Sequence, residues 1–307
     1  KIDRSTLEIL KNINAKVTVV TIAGPYRTGK SYLMNRLAGQ NTGFDIGSTI
    51  QAETKGIWAW CKPHPLDPNL CLLLLDTEGL GDPQKGDKNH DAWILTLAVL
   101  LSTILVYNNF SVINNDALLD LQLVTKISEH LQTKLDPEES QESQDYMEFF
   151  PSFVWAIRDF FLDLEIDGKP CTPDEYMETL LECKEGDDPR TKEYNAVRKC
   201  VRGYFPKRKC FVLPSPSDDM EKMKKPDCLT NSDLKKTFHE KAELFSNHIF
   251  ETSRERLKSI KGVTLTGSAL AGLCEQYVQA IQDGLVPCIQ NAVDVISKQE
   301  NEKAVDE

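Results

Sequence analysis

The chain has 307 residues, with 36 Lys and Arg against 47 Asp and Glu and a formal charge of −11. This acid excess argues against a nucleic-acid-binding body, which needs a net basic surface. Apolar residues at 40% and charged residues at 27% supply a sizeable core and exclude wholesale disorder, in roughly two domains or one large α/β domain.

Nine cysteines, at 61, 71, 171, 183, 200, 210, 228, 274 and 288, form no C-x-x-C pair and no metal-ligand cluster. They read as reduced, cytosolic and mostly buried thiols. The chain begins at Lys1 without a methionine or secretory leader and reads as an excised piece.

Val17–Ala23 is a β-branched run ending at a glycine and predicts a strand buried on both faces. Tyr32–Ala38 has Leu33, Met34 and Leu37 at helical spacing, and Gly39 closes it. Trp58 and Trp60 alternate along an edge strand as packing residues, and His64 falls in a loop. Leu70–Leu75 predicts a second buried strand ending at Asp76. Ala92–Val106 is almost free of polar groups, but its 15 residues fall short of the roughly 18–20 that cross a bilayer. It reads instead as a helix, Asp91–Leu101, running into a strand, Thr103–Tyr107.

Asp116–Leu131 predicts a long amphipathic helix, and the acidic stretch Asp136–Glu148 a mobile loop. Phe153–Ile157 and Cys210–Leu213 are further strands, and no strand is expected after residue 229. Asp233–Lys258 and Ala269–Asp283 read as helices, and Pro287 breaks the chain before a last helix, Cys288–Lys298. The alternation predicts an α/β fold: a mainly parallel, doubly wound sheet flanked by helices.

Gly24-Pro-Tyr26-Arg27-Thr28-Gly29-Lys30-Ser31 fits G-x-x-x-x-G-K-[ST] between a strand and a helix, the context of a phosphate-binding P-loop. Backbone amides of such a loop, with Tyr32 following, wrap phosphates at a helix N-terminus. Lys30 would reach the β- and γ-phosphates, and Ser31 would ligate Mg²⁺. Asp76-Thr77-Glu78-Gly79 follows a hydrophobic strand as D-x-x-G does in GTPases. Asp76 would hold Mg²⁺ through water, and the Gly79 amide would sense the γ-phosphate. Thr54 is the candidate switch threonine completing the Mg²⁺ shell, with Thr49 its competitor. Leu80 stands where many GTPases carry a water-orienting glutamine. Thr133-Lys-Leu-Asp136 fits the guanine-reading [NT]-K-x-D pattern but follows a helix. Arg158-Asp159 follows a strand directly, which is where a base-reading aspartate is held rigidly, so Asp159 is preferred. The cluster Lys207-Arg208-Lys209 is too small for a nucleic-acid claim.

Gly24-x-Tyr-Arg-Thr-Gly-Lys-Ser-Tyr-Leu-Met-Asn35, Thr54-Lys-Gly-Ile-Trp58, Leu74-Leu-Asp-Thr-Glu-Gly-Leu-Gly-Asp82, Phe149-Phe-Pro-x-Phe-Val-Trp155 and Arg158-Asp-Phe160 resemble the guanylate-binding proteins. These are interferon-inducible large GTPases of the dynamin superfamily, related to the atlastins. Further matches at Thr172–Tyr176, Phe205–Cys210 and Val286–Ala292 extend the resemblance over nearly the whole chain. It implies a GTPase domain over 1–283 and the start of a C-terminal helical domain over 284–307. It also implies Mg²⁺-dependent hydrolysis of GTP to GDP, with GMP a possible further product. Arg27 would be an arginine finger supplied in cis, Glu78 would help arrange the attacking water, and Arg158-Asp159 would read the base. The segment after Phe211-Val212-Leu213 would cap the guanine, with Leu213 a nucleotide contact, and contribute to a nucleotide-dependent homodimer. The resemblance further implies innate immune defence from the cytoplasm, with membrane association confined to the full-length protein.

Three departures stand out. Ala52 replaces a water-positioning serine, Glu53 stands where some members have histidine, and Pro214-Ser215-Pro216 replaces Asp-Arg-Pro at the dimer face. The competing expectation is a GTP-binding scaffold with little turnover. A nucleotide kinase ranks below both, because no arginine-bearing lid is evident.

Overall fold

Seven of the eight residues of β1, Lys16–Ala23, are buried, because a β-branched run without polar alternation fits only between two covered faces. The computed structural model describes residues 1–46, 53–82, 88–121, 150–224, 228–260, 263–285 and 287. Around β1 stand β2 (Ile57–His64), β3 (Asp67–Thr77), β4 (Ile104–Phe110) and β5 (Ser152–Arg158). A small antiparallel hairpin, β6 (Glu165–Ile166) with β7 (Lys169–Pro170), lies apart, and β8 is Arg208–Leu213.

The main sheet runs β2-β3-β1-β4-β5-β8. Every pairing in it is parallel except edge strand β2, which is antiparallel to β3. From β1 the chain first adds β3 on one side and later β4 on the other. That reversal opens a crevice at the carboxyl end of β1, where ligands of such sheets bind.

Alternate residues of β1 feed two cores. Val17 and Val19 belong to the core that also takes in α1 (Arg4–Lys11), α3 (Lys88–Leu101), α4 (Pro173–Leu180), α5 (Pro189–Tyr204) and α7 (Gly267–Gln282), with residues such as Leu10, Val99, Met177, Val201 and Leu273. Val20 and Ile22 meet α2 (Lys30–Ala38) and α6 (Lys236–Glu255) through Leu33, Leu37, Phe238 and Phe245. Helices on both faces make the sheet doubly wound, as the strand pattern predicts. The apolar run Ala92–Val106 is indeed divided between α3 and β4, and no described helix is long and apolar enough to cross a membrane.

The structure corrects several expectations. A two-stranded ribbon, β9 (Ser259–Ile260) with β10 (Val263–Thr264), lies beyond residue 229; strands of two residues carry no periodic signal. Helix α6 begins later than Asp233, which closes a 3₁₀ turn capped from Thr230. It ends earlier than Lys258, because Arg256 turns away to donate to Ser152 Oγ at 2.8 Å and Lys258 to donate from Nζ to the Ser102 carbonyl at 3.0 Å. That carbonyl follows the last turn of α3, where a cation complements the helix dipole. Burial pulls the Lys258 ammonium well below its usual pKa, and Arg256 adds to the effect.

The segment between β10 and α7 lies against the start of β1. The Val17 amide donates to the Leu265 carbonyl at 3.0 Å, and that of Gly267 to the Ile13 carbonyl at 3.1 Å. A Cβ at Gly267 would stand 2.5 Å from the Leu10 carbonyl oxygen, so glycine is needed for this approach.

Cys61 and Cys71, on the paired strands β2 and β3, form a disulfide, and Cys183 and Cys228 are exposed. The other six described cysteines form no disulfide, so most are reduced as expected, while only Cys71, Cys200 and Cys210 of the eight described are buried. Trp60 packs on Phe44 with ring centroids 5.7 Å apart, but Trp58 is exposed and bonds from its indole to the Lys55 carbonyl. His64 ends β2 in a buried position, not a loop. Its Nδ1 accepts from the Leu66 amide at 3.1 Å. Nε2 therefore carries the proton and donates to Ser253 Oγ of α6 at 2.9 Å. The backbone is helical over 115–121. The remainder of the Asp116–Leu131 helix, the Asp136–Glu148 loop, Cys288–Lys298, and the sites Thr49, Ala52 and Asp136 lie outside the described residues.

Candidate functional site

The loop from Gly24 to Ser31 leaves β1 at the switch point and enters α2. Gly24 has φ 142°, and a Cβ there would stand 2.0 Å from the Asn108 carbonyl oxygen. Asn108 of β4 in turn donates to the Thr28 carbonyl at 2.9 Å, so the neighbouring strand braces the loop at two points. Thr28 Oγ1 and Lys30 Nζ both donate to the Pro25 carbonyl, at 2.8 and 2.9 Å. Gly29, at φ 79°, starts α2 with no side-chain cap. Amides at that helix start are the orphan donors that suit an anion. Arg27 is exposed with φ 62°.

The second motif packs backbone to backbone on this loop. Pro25 and Leu80 form a parallel bridge: the Tyr26 amide donates to the Leu80 carbonyl and the Leu80 amide to the Gly24 carbonyl, each at 3.1 Å. Gly79 permits the contact, since a Cβ there would stand 2.2 Å from Tyr26 Cα.

Asp76 ends β3 and is 1% exposed. Its Oδ2 accepts from Ser31 Oγ at 2.6 Å and from Thr54 Oγ1 at 3.3 Å, and the two hydroxyls stand 3.4 Å apart. Its Oδ1 is buried with no hydrogen-bond partner among the described residues. Burial raises the pKa of this carboxyl, and Ser31, Lys30 and Thr54 oppose the rise. An orphaned carboxylate oxygen beside two hydroxyls is a hard-oxygen donor set that fits a divalent cation such as Mg²⁺.

Arg158 and Asp159 stand at the end of β5, two strands from β1. Arg158 is buried, and its guanidinium lies over the rings of Tyr32 and Phe238, 5.8 and 5.9 Å from their centroids. Asp159, at φ 49°, turns the chain at the strand end.

A cavity of about 470 Å³ opens over this crevice. Tyr26 through Tyr32, Thr54, Gly79, Arg158 and Asp159 line it. Four predicted site residues do not. Gly24 lies beneath the loop against Asn108, and Asp76 stands behind Ser31 and Thr54. Leu213 is fully buried in the core under α6. Glu78 is held elsewhere: Oε2 accepts from the Gly56 amide at 2.7 Å, and Oε1 pairs with His90. Asp45, Ile46, Glu53 and Phe110 also line the cavity, as do Pro216, Met223, Lys224 and Leu229 from the segment after β8. Phe110 was within reach of sequence reasoning, because it ends β4 at the carboxyl edge beside Arg158. Asp45 carried no such signal.

A family model described as the guanylate-binding protein N-terminal domain matches residues 1–258, and one described as the C-terminal domain matches 261–307. The chain is 46% identical over 307 residues to guanylate-binding protein 6 of Homo sapiens, covering 99% of this chain and 48% of that protein. It is 45% identical over 307 residues to guanylate-binding protein 3 of Mus musculus, covering 99% and 49%. With guanylate-binding protein 1 of Mus musculus it shares 46% over 306 residues, covering 99% and 52%. The chain thus spans about half the length of these relatives.

Proposed function

This chain belongs to the guanylate-binding protein family, and on that premise we propose that it binds GTP in the cavity at the end of β1 and hydrolyses it to GDP. The observation that carries the reading is the meeting of Ser31, Thr54 and the half-satisfied carboxylate of buried Asp76 at the rim of the loop 24–31. Ser31 and Thr54 would hold Mg²⁺, with Asp76 acting through water. When bound, that ion would supply neutralisation of phosphate charge.

The chain's own groups do the rest. Lys30, now turned to the Pro25 carbonyl, exchanges that acceptor for phosphate oxygens. The amides of Gly29 through Tyr32 and of Gly79 surround the phosphates. Arg27, on the open side of the loop, neutralises charge that grows only in the transition state. Asp159 accepts from N1–H and the exocyclic amine of guanine, a bidentate pattern that adenine lacks. Glu78, held on the Gly56 amide, would help arrange the attacking water by steadying the segment that carries Thr54. Pairing of two copies through this face, a cytoplasmic location and innate-defence action at membranes belong to the proposal for the whole protein.

One observation favours a second reading, a GTP-binding scaffold with little turnover. Glu78 is turned from the cavity, and Leu80 occupies the water-orienting position. Single-turnover hydrolysis with chromatography of GDP and GMP separates the readings. Tight GTP binding with no product above the uncatalysed rate sinks the enzyme.

A further inference from the structure

Glu78 has a side chain 2% exposed, and a carboxylate so far from water persists only with its oxygens matched. Its Oε2 accepts from the Gly56 amide at 2.7 Å. The backbone amide of Glu78 donates to the Gly56 carbonyl at 2.8 Å. Gly56 is therefore gripped at both its N–H and its C=O by one residue. Oε1 meets Nε2 of His90, in the first turn of α3. His90 does not line the cavity. Two residues before Gly56, Thr54 Oγ1 stands 3.3 Å from Asp76 Oδ2.

We infer that His90 is a positioning residue for the proposed hydrolysis: by engaging Oε1 of Glu78 it aims Oε2 at the Gly56 amide and so keeps Thr54 beside Asp76 and Ser31. This rests on reading the cavity as a GTPase site. The chain of contacts runs α3, Glu78, Gly56, Thr54. It ties a helix of the body to the segment that must meet the γ-phosphate.

The test compares His90→Leu, which removes the donor, with His90→Gln, which keeps an N–H. Two measurements are made: amide hydrogen exchange over residues 54–58 in nucleotide-free protein, and kcat and KM for GTP. In His90→Leu, exchange at Gly56 rises and kcat falls, each by about tenfold, while KM stays within about twofold, as expected for loss of one orienting contact. His90→Gln recovers most of both. Unchanged exchange at Gly56 in His90→Leu overturns the inference. So does a His90→Gln variant as impaired as His90→Leu, or a fall in melting temperature with kcat and KM moving together, the mark of a merely structural residue. If the wild type turns over no GTP, the GTPase reading fails, and the exchange comparison alone still decides whether His90 holds Gly56.

Discussion

Arg158 donates from Nη1 to the carbonyl of Gly29 at 3.2 Å, which ties the strand end carrying Asp159 to the loop that starts α2. A Cβ on Gly29 would stand 2.8 Å from the same nitrogen. Burial draws the guanidinium below its ordinary pKa, and Asp159 offsets this. The planar fork, stacked over Tyr32 and Phe238, suits arginine and not lysine. The base end and the phosphate end of the cavity are thus one mechanical unit.

Lys30→Ala lowers GTP affinity by at least about 100-fold, because an ammonium facing two phosphates has no apolar substitute. The fold survives, since the lost bond to the Pro25 carbonyl is local and Thr28 Oγ1 still reaches that acceptor. Titration calorimetry with circular dichroism checks both halves. Unchanged affinity removes the phosphate-loop assignment.

Asp159→Asn loses guanine preference and gains affinity for xanthine nucleotides. The amide puts a donor where guanine also donates, whereas xanthine presents a carbonyl there. The mismatch with guanine costs about 10- to 100-fold in affinity. Competition binding of GTP against XTP reads the switch. If Asp136→Asn switches and Asp159→Asn does not, the base is read elsewhere.

Arg27→Ala lowers kcat by about 10³ while GTP affinity moves little, the signature of a group acting in the transition state. Its exposure and positive φ set it on the open side of the loop, so pairing of two copies is expected to help hold the side chain. Wild-type turnover per molecule therefore rises with protein concentration. A flat specific activity together with an equally active Arg27→Ala variant would falsify both expectations.

Stability falls as the solution is acidified below about pH 6.5. Burial depresses the His64 pKa below its ordinary value of 6.5, with Asp67 opposing. The unfolded chain therefore takes up the proton at higher pH than the folded one, and stability rises with pH through that window. Above the unfolded value the contribution is fully present; it is lost as pH falls toward the folded value. His248, also depressed by burial, adds in the same sense. Urea midpoints from pH 7.5 to 5.5 should show a smaller slope in His64→Gln than in wild type. Equal slopes place the proton uptake on other groups.

Strands β1, β3, β4 and β5 were legible because doubly buried strands are written as unbroken apolar runs, and edge strand β8 from its apolar end, Cys210–Leu213. Helices α4 and α5 were not, since their polar faces dominate and only residues such as Met177, Val197 and Val201 turn inward. Their caps were nonetheless in the text: Thr172 with Glu175 forms a capping box ahead of Pro173, and Asp188 precedes Pro189. The loop 24–31 was legible because its chemistry is contiguous. The ties from Arg158 to Gly29 and from His90 to Glu78 were not, because each joins segments that only the finished sheet brings together.

The attachment of the 263–267 segment to the foot of β1 has a mechanical consequence. The loop 24–31 hangs from one end of that strand, and the chain leaving toward α7 is fastened to the other at Ile13 and Val17. At about 3.3 Å per residue, the eight residues of β1 form a strut of about 26 Å between them. Force that reaches α7 from the chain beyond it is shared by the Ile13, Val17 and Lys258 attachments before it meets the sheet, and tension and nucleotide are borne by opposite ends of one rod.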